Sequence, residues 1–321
     1  MRMFISIASY CDPVLGFTVA RALAHARWPE RLHFGVVDQS PAASPHPLPD
    51  VGPARLSYVR IDPLYARGPC WARSLAMSLY DGEHWFFQID SHMDFDQYWD
   101  ERLIACAMGL LPGRPGVVLS AYPNAFVFEN NQVIRRPATD KVLAHVVKPG
   151  SNFEPDHPVL GFEAHPVDRE EAVPGFHVGA GCLFAPGPFV QTFPYDPWFY
   201  FHGEEQALAA RIFTHGWDIF HMAGQPVYHL YNNNESGAPP RPMHWDASHD
   251  SQRQQNWWTL EQRSRMRLAA LLAGEPLGAY ALGHARSMAD YAAFSGIDYA
   301  ARTIAPQAFQ PLTMAAGTQP A

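Results

Sequence analysis

The segment Trp85–Ile89 (WFFQI) is apolar almost throughout, without the alternation of a strand that has one wet face. Such strands sit in the middle of sheets covered on both sides, an arrangement that needs helices between successive strands. Asp90-Ser91-His92 follows at once, then Asp94-Phe95-Asp96-Gln97, whose spacing predicts a capping box opening a helix. A buried strand ending in a carboxylate and an imidazole constrains chemistry as well as architecture. Ligands of open α/β sheets collect beyond the carboxyl ends of the strands.

The flanking sequence alternates in the same way. Phe4–Ala8 is a short apolar strand opening into Ser9-Tyr10-Cys11-Asp12-Pro13. After it, Val14, Leu15, Thr18, Val19, Ala22, Leu23 and Ala26 recur at helical spacing behind Pro13. Leu32–Val37 and Leu56–Ile61 are further strands, and the stretch from Arg67 to Glu83 is a helix opened by Pro69 and stopped at Asp81-Gly82. A helix bearing Trp99, Leu103, Ala107 and Leu110 and the strand Val117–Ser120 follow. The pattern predicts an α/β fold: a Rossmann-like, mostly parallel mixed sheet flanked by helices.

Residues 121–175, rich in Pro, Asn and His, read as a loop-rich insertion. Strand character returns at Phe176–Ala185 around Gly179-Ala180-Gly181, then come a helix over Gly203–Gly216 and short strands at Asp218–His221 and Pro226–Leu230. We expect one unit over 1–234 and a partly helical extension over 235–321, with helices near 251–272 and 288–294 and a frayed tail.

Composition narrows the function. With 47% hydrophobic and 17% charged residues in 321, the chain is globular. A net charge of −8 without any Lys/Arg cluster argues against nucleic acid as a partner. No stretch approaches the ~20 apolar residues of a membrane helix, so no membrane insertion is expected. The apolar N-terminus is too short and too interrupted for a signal peptide. Cys11, Cys70, Cys106 and Cys182 are scattered without CxxC spacing, as reduced thiols of a cytoplasmic protein would be.

Asp90 and His92, two residues apart, offer one oxygen and one nitrogen to a single cation. That mixed set suits Mn²⁺ and, less well, Mg²⁺. Two protein ligands leave positions for a third and for substrate phosphate. His229, ending the strand Pro226–Leu230, is a candidate third ligand, although a satisfied histidine before a loop reads the same way. Arg73 is either a phosphate contact or a solvated helix-face arginine. Glu204 and Glu205 either complement the dipole of their helix or grip a sugar or acceptor hydroxyl, with Trp198–Phe201 as an aromatic wall.

SIASYCDP, GPCWARSLAMSLYDGE, FFQIDSHMDFDQYWD, HVGAGCLFAP, YFHGEEQALAARIFTHGWD and VYHLY occur in this order. Together they resemble the GlcNAc-transferase family typified by the enzyme that glycosylates hydroxyproline on Skp1. The Asp-x-His and later His are also similar to those of the polypeptide GalNAc-transferases. The resemblance implies a GT-A fold and a retaining transferase that moves GlcNAc, or a related sugar, from a UDP-sugar donor to a hydroxyl of a protein, glycan or small-molecule acceptor. It assigns the metal to Asp90, His92 and His229. It places Ser9, Tyr10, Asp12, Arg73, Asp90, Ser91 and Gly181 at the nucleotide-sugar, and Glu204, Glu205 and Arg73 in catalysis. The chain departs from the pattern at Cys11, where the family tends to have Arg, and at Asn232-Asn233-Asn234, where a basic residue is usual. Two other readings share the metal ligands: a metal-dependent nucleotidyl- or phosphotransferase, and a non-catalytic UDP-sugar-binding module.

Overall fold

The computed structural model describes residues 1–43, 47–130, 132–232, 237 and 239–312. In chain order the first elements are β1 (Met3–Tyr10), α1 (Leu15–His25), β2 (Leu32–Gln39), β3 (Arg55–Arg60), α2 (Pro69–Met77), β4 (Trp85–Asp90), β5 (Met93–Phe95), α3 (Trp99–Leu110) and β6 (Val117–Ser120). There follow β7 (Asn124–Glu129), β8 (Gln132–Arg136), β9 (Val142–Val147), β10 (Phe162–Val167), β11 (Val173–Gly175), β12 (Cys182–Pro186), α4 (Phe189–Thr192), α5 (Glu204–Thr214), β13 (Asp218–His221) and β14 (Val227–His229). The last helices are α6 (Ala247–Asp250), α7 (Trp257–Leu272) and α8 (Met288–Ser295).

The large sheet runs β11-β13-β6-β12-β4-β1-β2-β3. Its β3-β2-β1-β4 half is parallel, β12 is antiparallel to both its neighbours, and β6 and β13 are parallel. β4 is covered on both faces, as its composition requires. Trp85, Phe87 and Ile89 join the core beneath α1 and α3, and Phe86 joins the core beneath α5 and α7. Gln88, facing that second core, donates from Nε2 to the Ala180 carbonyl at 2.7 Å, while its buried Oε1 has no partner. A second sheet, β5-β14-β7-β8, stands beyond the carboxyl end of β4.

Three stretches differ from expectation. Residues 121–175 carry, among their loops, the unexpected short strands β7 to β11, whose Pro, Asn and His hide the alternation. Asp94-Phe95-Asp96-Gln97 is not a capping box. Asp94 is buried and held by Arg21 at 2.6 Å and Arg135 at 2.8 Å, and Asp96 pairs with Arg102 and Arg135. These guanidiniums outcompete the backbone for the carboxylates, and α3 starts after Tyr98 in a left-handed conformation. Residues beyond 234 also share the main core, since Leu268 and Leu271 of α7 pack within the cluster that holds Phe86. Of the tail read as frayed, residues 313–321 lie outside the described residues, as do Asn233 and Asn234.

Candidate active site

Tertiary pairing brings the site together. Asp90 ends β4, and the turn after it is pinned by Thr18 of α1. The Thr18 hydroxyl donates to the Ser91 carbonyl at 2.8 Å and accepts from the Met93 amide at 2.8 Å. β14 pairs antiparallel with β5, His229 opposite Met93, and the Leu230 amide donates to the His92 carbonyl at 3.0 Å. The rings of His92 and His229 thereby come to 4.6 Å between centroids. Ligand atoms of Asp90, His92 and His229 all lie within 4.8 Å of one another, a separation compatible with one shared cation.

The surroundings orient these atoms and set their protonation. Asp12 Oδ2 is 2.7 Å from His92 Nδ1 and accepts from the Ser91 hydroxyl at 2.6 Å, while its Oδ1 accepts from the Val14 amide at 2.8 Å. With Nδ1–H donated to a carboxylate, the lone pair of His92 lies on Nε2. Burial pushes the His229 imidazole down to about 4, so it is neutral at physiological pH, and its buried Nδ1 has no hydrogen-bond partner. Burial opposes ionisation of Asp90. Hydrogen bonding from His229, 3.3 Å away, and the Arg73 guanidinium outweigh it and hold the carboxyl well below the usual range. Gly181 is needed beside it, because a Cβ there would sit 2.3 Å from Asp90 Oδ2.

Arg73 is not a solvated helix-face residue. It is buried, with Nη2 donating to Asp90 Oδ1 at 2.8 Å and Nη1 to Glu204 Oε1 at 2.6 Å. Glu204 Oε2 in turn accepts from the Tyr195 hydroxyl and the Cys70 thiol, both at 2.8 Å. The two adjacent glutamates therefore differ in environment. Glu204 is enclosed and fully engaged. Glu205 is partly exposed, accepting from the Ala180 amide at 2.7 Å and the Tyr122 hydroxyl at 2.5 Å, with His177 Nε2 at 3.5 Å. Gly203, at φ +87, starts the helix that presents them.

Two chambers meet at Arg73, Asp90 and His229. One, of about 250 Å³, is lined by Ser9, Tyr10, Asp12, Ser91 and His92, with Gln39 behind them. The other, of about 230 Å³, is lined by Gly181, Glu204, Glu205, Tyr122 and His177, with Phe162 on its wall. The residues expected at the metal, the nucleotide-sugar and in catalysis border these two spaces. Of the aromatic wall expected at Trp198–Phe201 only Phe201 does, Trp198 being exposed and Phe199 and Tyr200 buried in the core. Ser9 Oγ and Gln39 Oε1 are buried at the first chamber without partners. Cys11 points away, its thiol directed at the Gln39 carbonyl at 3.3 Å and pushed up to about 11 by burial.

Sequence reasoning missed Tyr122, which lay in the expected insertion, and His177, which lay at the start of the strand expected over Phe176–Ala185. It also missed a set from the extension. Arg241 and His244 line the first chamber, and His249 and Arg253 hold the Tyr10 hydroxyl. The only signal for this set was a cluster of basic and aromatic residues soon after VYHLY.

The large mixed sheet flanked by helices has the fold of the GT-A glycosyltransferases. The structure is similar to that of GalNAc-T7 with UDP, GalNAc and Mn²⁺, with a TM-score of 0.54 and 14% identity over 74% of this chain; the match spans 45% of that chain. It is also similar to S. aureus TarS 1–349 in complex with UDP-GlcNAc, with a TM-score of 0.41 and 10% identity over 87% of this chain and 75% of that one. Among curated proteins none matches. The sequence model of the glycosyltransferase (GlcNAc) family covers residues 50–301, and the chain belongs to that family. Among the described residues, no helix is long and apolar enough to cross a membrane.

Proposed function

We propose that the chain transfers GlcNAc, or a closely related sugar, from a UDP-sugar to an acceptor hydroxyl with retention of configuration. The carrying observation is the convergence of Asp90, His92 and His229 where two chambers meet. The mixed oxygen and nitrogen donors fit Mn²⁺ better than Mg²⁺. When bound, the ion supplies positive charge against the diphosphate leaving group. Arg73, locked between Asp90 and Glu204, adds a fixed cation at the boundary where the glycosidic bond would lie. That GalNAc-T7 was solved with UDP, GalNAc and Mn²⁺ supports the same reading here. Four unpaired cysteines, three of them buried, support a reducing compartment such as the cytoplasm.

Retention without a covalent intermediate suits these carboxylates. Glu204 has no free oxygen aimed at the sugar chamber, because its acceptors are used by Arg73, Tyr195 and Cys70. Its part is to position Arg73. Glu205, partly exposed, is placed to accept from a sugar or acceptor hydroxyl. The acceptor then attacks from the face the UDP leaves, and its proton passes to the departing phosphate oxygen. Incubation with UDP-GlcNAc and Mn²⁺, followed by mass spectrometry, tests this. Sugar transfer or slow donor hydrolysis is expected. A glycosyl adduct on Glu204 or Glu205, or transfer of nucleotide in place of sugar, would refute it.

A further inference from the structure

The extension beyond residue 234 reaches into the first chamber, and there it brings the guanidinium of Arg241, whose bonding is incomplete. We infer that Arg241 holds the diphosphate of the donor, an inference that rests on the UDP-sugar reading above. A diphosphate must enter a space already bordered by the carboxylates of Asp12 and Asp90, so the placing of positive charge decides whether it can stay. Among the described residues lining this chamber the basic side chains with permanent charge are Arg73 and Arg241. Arg73 is committed to Asp90 and Glu204. Arg253 does not line the chamber: its two Nη groups are engaged by the His244 carbonyl and the Tyr10 hydroxyl, and its Nε, buried without a partner, lies behind the Tyr10 ring.

Arg241 differs from both. Its Nη2 donates to the Leu230 carbonyl at 2.9 Å, but its buried Nη1 makes no hydrogen bond. The nearest acidic atom, Asp12 Oδ2, lies 3.6 Å away and is already shared by His92 and Ser91. A buried charged donor that makes no hydrogen bond is costly even beside a carboxylate 3.6 Å away, and the Arg241 side chain is only 10% exposed. A phosphoryl oxygen entering the chamber would satisfy it. The anchor also matters. Leu230 follows His229 directly and its amide is bonded to His92, so the guanidinium is held in register with the cation site. One edge of the planar fork is fixed by backbone and the other is left for a ligand with oxygens. The extension therefore supplies a phosphate-binding cation from outside the sheet, where Cys11 and Asn232 offer none.

The test compares UDP with uridine, each with Mn²⁺, by ligand-detected NMR titration of the full chain and of Arg241→Gln and Arg241→Lys. Loss of one charge-assisted contact predicts UDP weakened about 10- to 100-fold in Arg241→Gln, partial recovery in Arg241→Lys, and unchanged uridine affinity. UDP affinity unchanged in Arg241→Gln would overturn the inference. So would equal weakening of UDP and uridine, which would mark a structural role for the segment. Wild-type protein that binds neither ligand would overturn the donor reading, and this inference with it.

Discussion

Asp12 and His92 are joined by a 2.7 Å hydrogen bond that fixes which nitrogen of the imidazole is left for a ligand. Asp12 comes from the turn after β1 and His92 from the turn after β4, two strands that are neighbours in the sheet. Because the carboxylate orients the ring without itself facing the shared point, Asp12→Asn should raise the Mn²⁺ concentration needed for half-saturation about 10- to 100-fold. Calorimetric titration of the variant checks this, and an unchanged midpoint would remove the orienting role.

Asp90 supplies the only oxygen of the trio. Asp90→Asn is expected to abolish Mn²⁺-dependent stabilisation by UDP in thermal melts while the apo protein still unfolds cooperatively. Retained Mn²⁺-dependent stabilisation would sink the ligand assignment.

Arg73 and Glu204 form a buried pair, each side chain nearly inaccessible to solvent. Removing one member strands the other charge, so Arg73→Ala should cost about 3–5 kcal/mol of unfolding free energy. Urea denaturation reads the loss directly. A change under about 1 kcal/mol would place the pair among weakly coupled surface contacts.

Glu205 is the more exposed of the two glutamates, and its proposed partner is a substrate hydroxyl. Glu205→Gln should leave UDP affinity unchanged and lower kcat/KM about ten- to a hundredfold, the worth of a hydrogen bond to a charged group. A fall in UDP affinity equal to the fall in kcat/KM would contradict this placement.

His145, His177 and His221 form a buried cluster under Tyr122, the His145 and His221 rings 4.3 Å apart. Burial lowers all three imidazoles, His221 to about 4. The unfolded chain binds protons near pH 6.5 while the folded cluster stays neutral, so the unfolded state carries more protons between about pH 6.5 and 4. Stability should therefore be full above pH 7 and decline as pH falls through that window. Urea midpoints at pH 7.5 and 5.5 check the sign, and equal midpoints would contradict it.

The sheet end that carries Asp90 was legible along the chain. The apolar run before Asp90, the Pro13 and Pro69 helix starts and the Gly203-Glu204-Glu205 helix opening are local patterns, set by periodicity, proline geometry and positive-φ glycine. For that reason β4, α1 and α5 lie close to where one-dimensional reading puts them and α2 opens at Pro69, although α2 ends at Met77, before the stop expected at Asp81-Gly82. Arg73 was ambiguous, because helical spacing states which face a residue occupies but not what lies opposite.

Only the tertiary structure decided the rest. Pairing of β14 with β5 brings His229 to His92, and the return of residues 241–253 across the cleft brings Arg241 and Arg253 to Tyr10 and Asp12. Those contacts join residues far apart in sequence, and their stability comes from buried surface and paired charge, which leave no periodic trace. Local propensity wrote the scaffold, whereas long-range packing chose which charges were left unpaired at its edge.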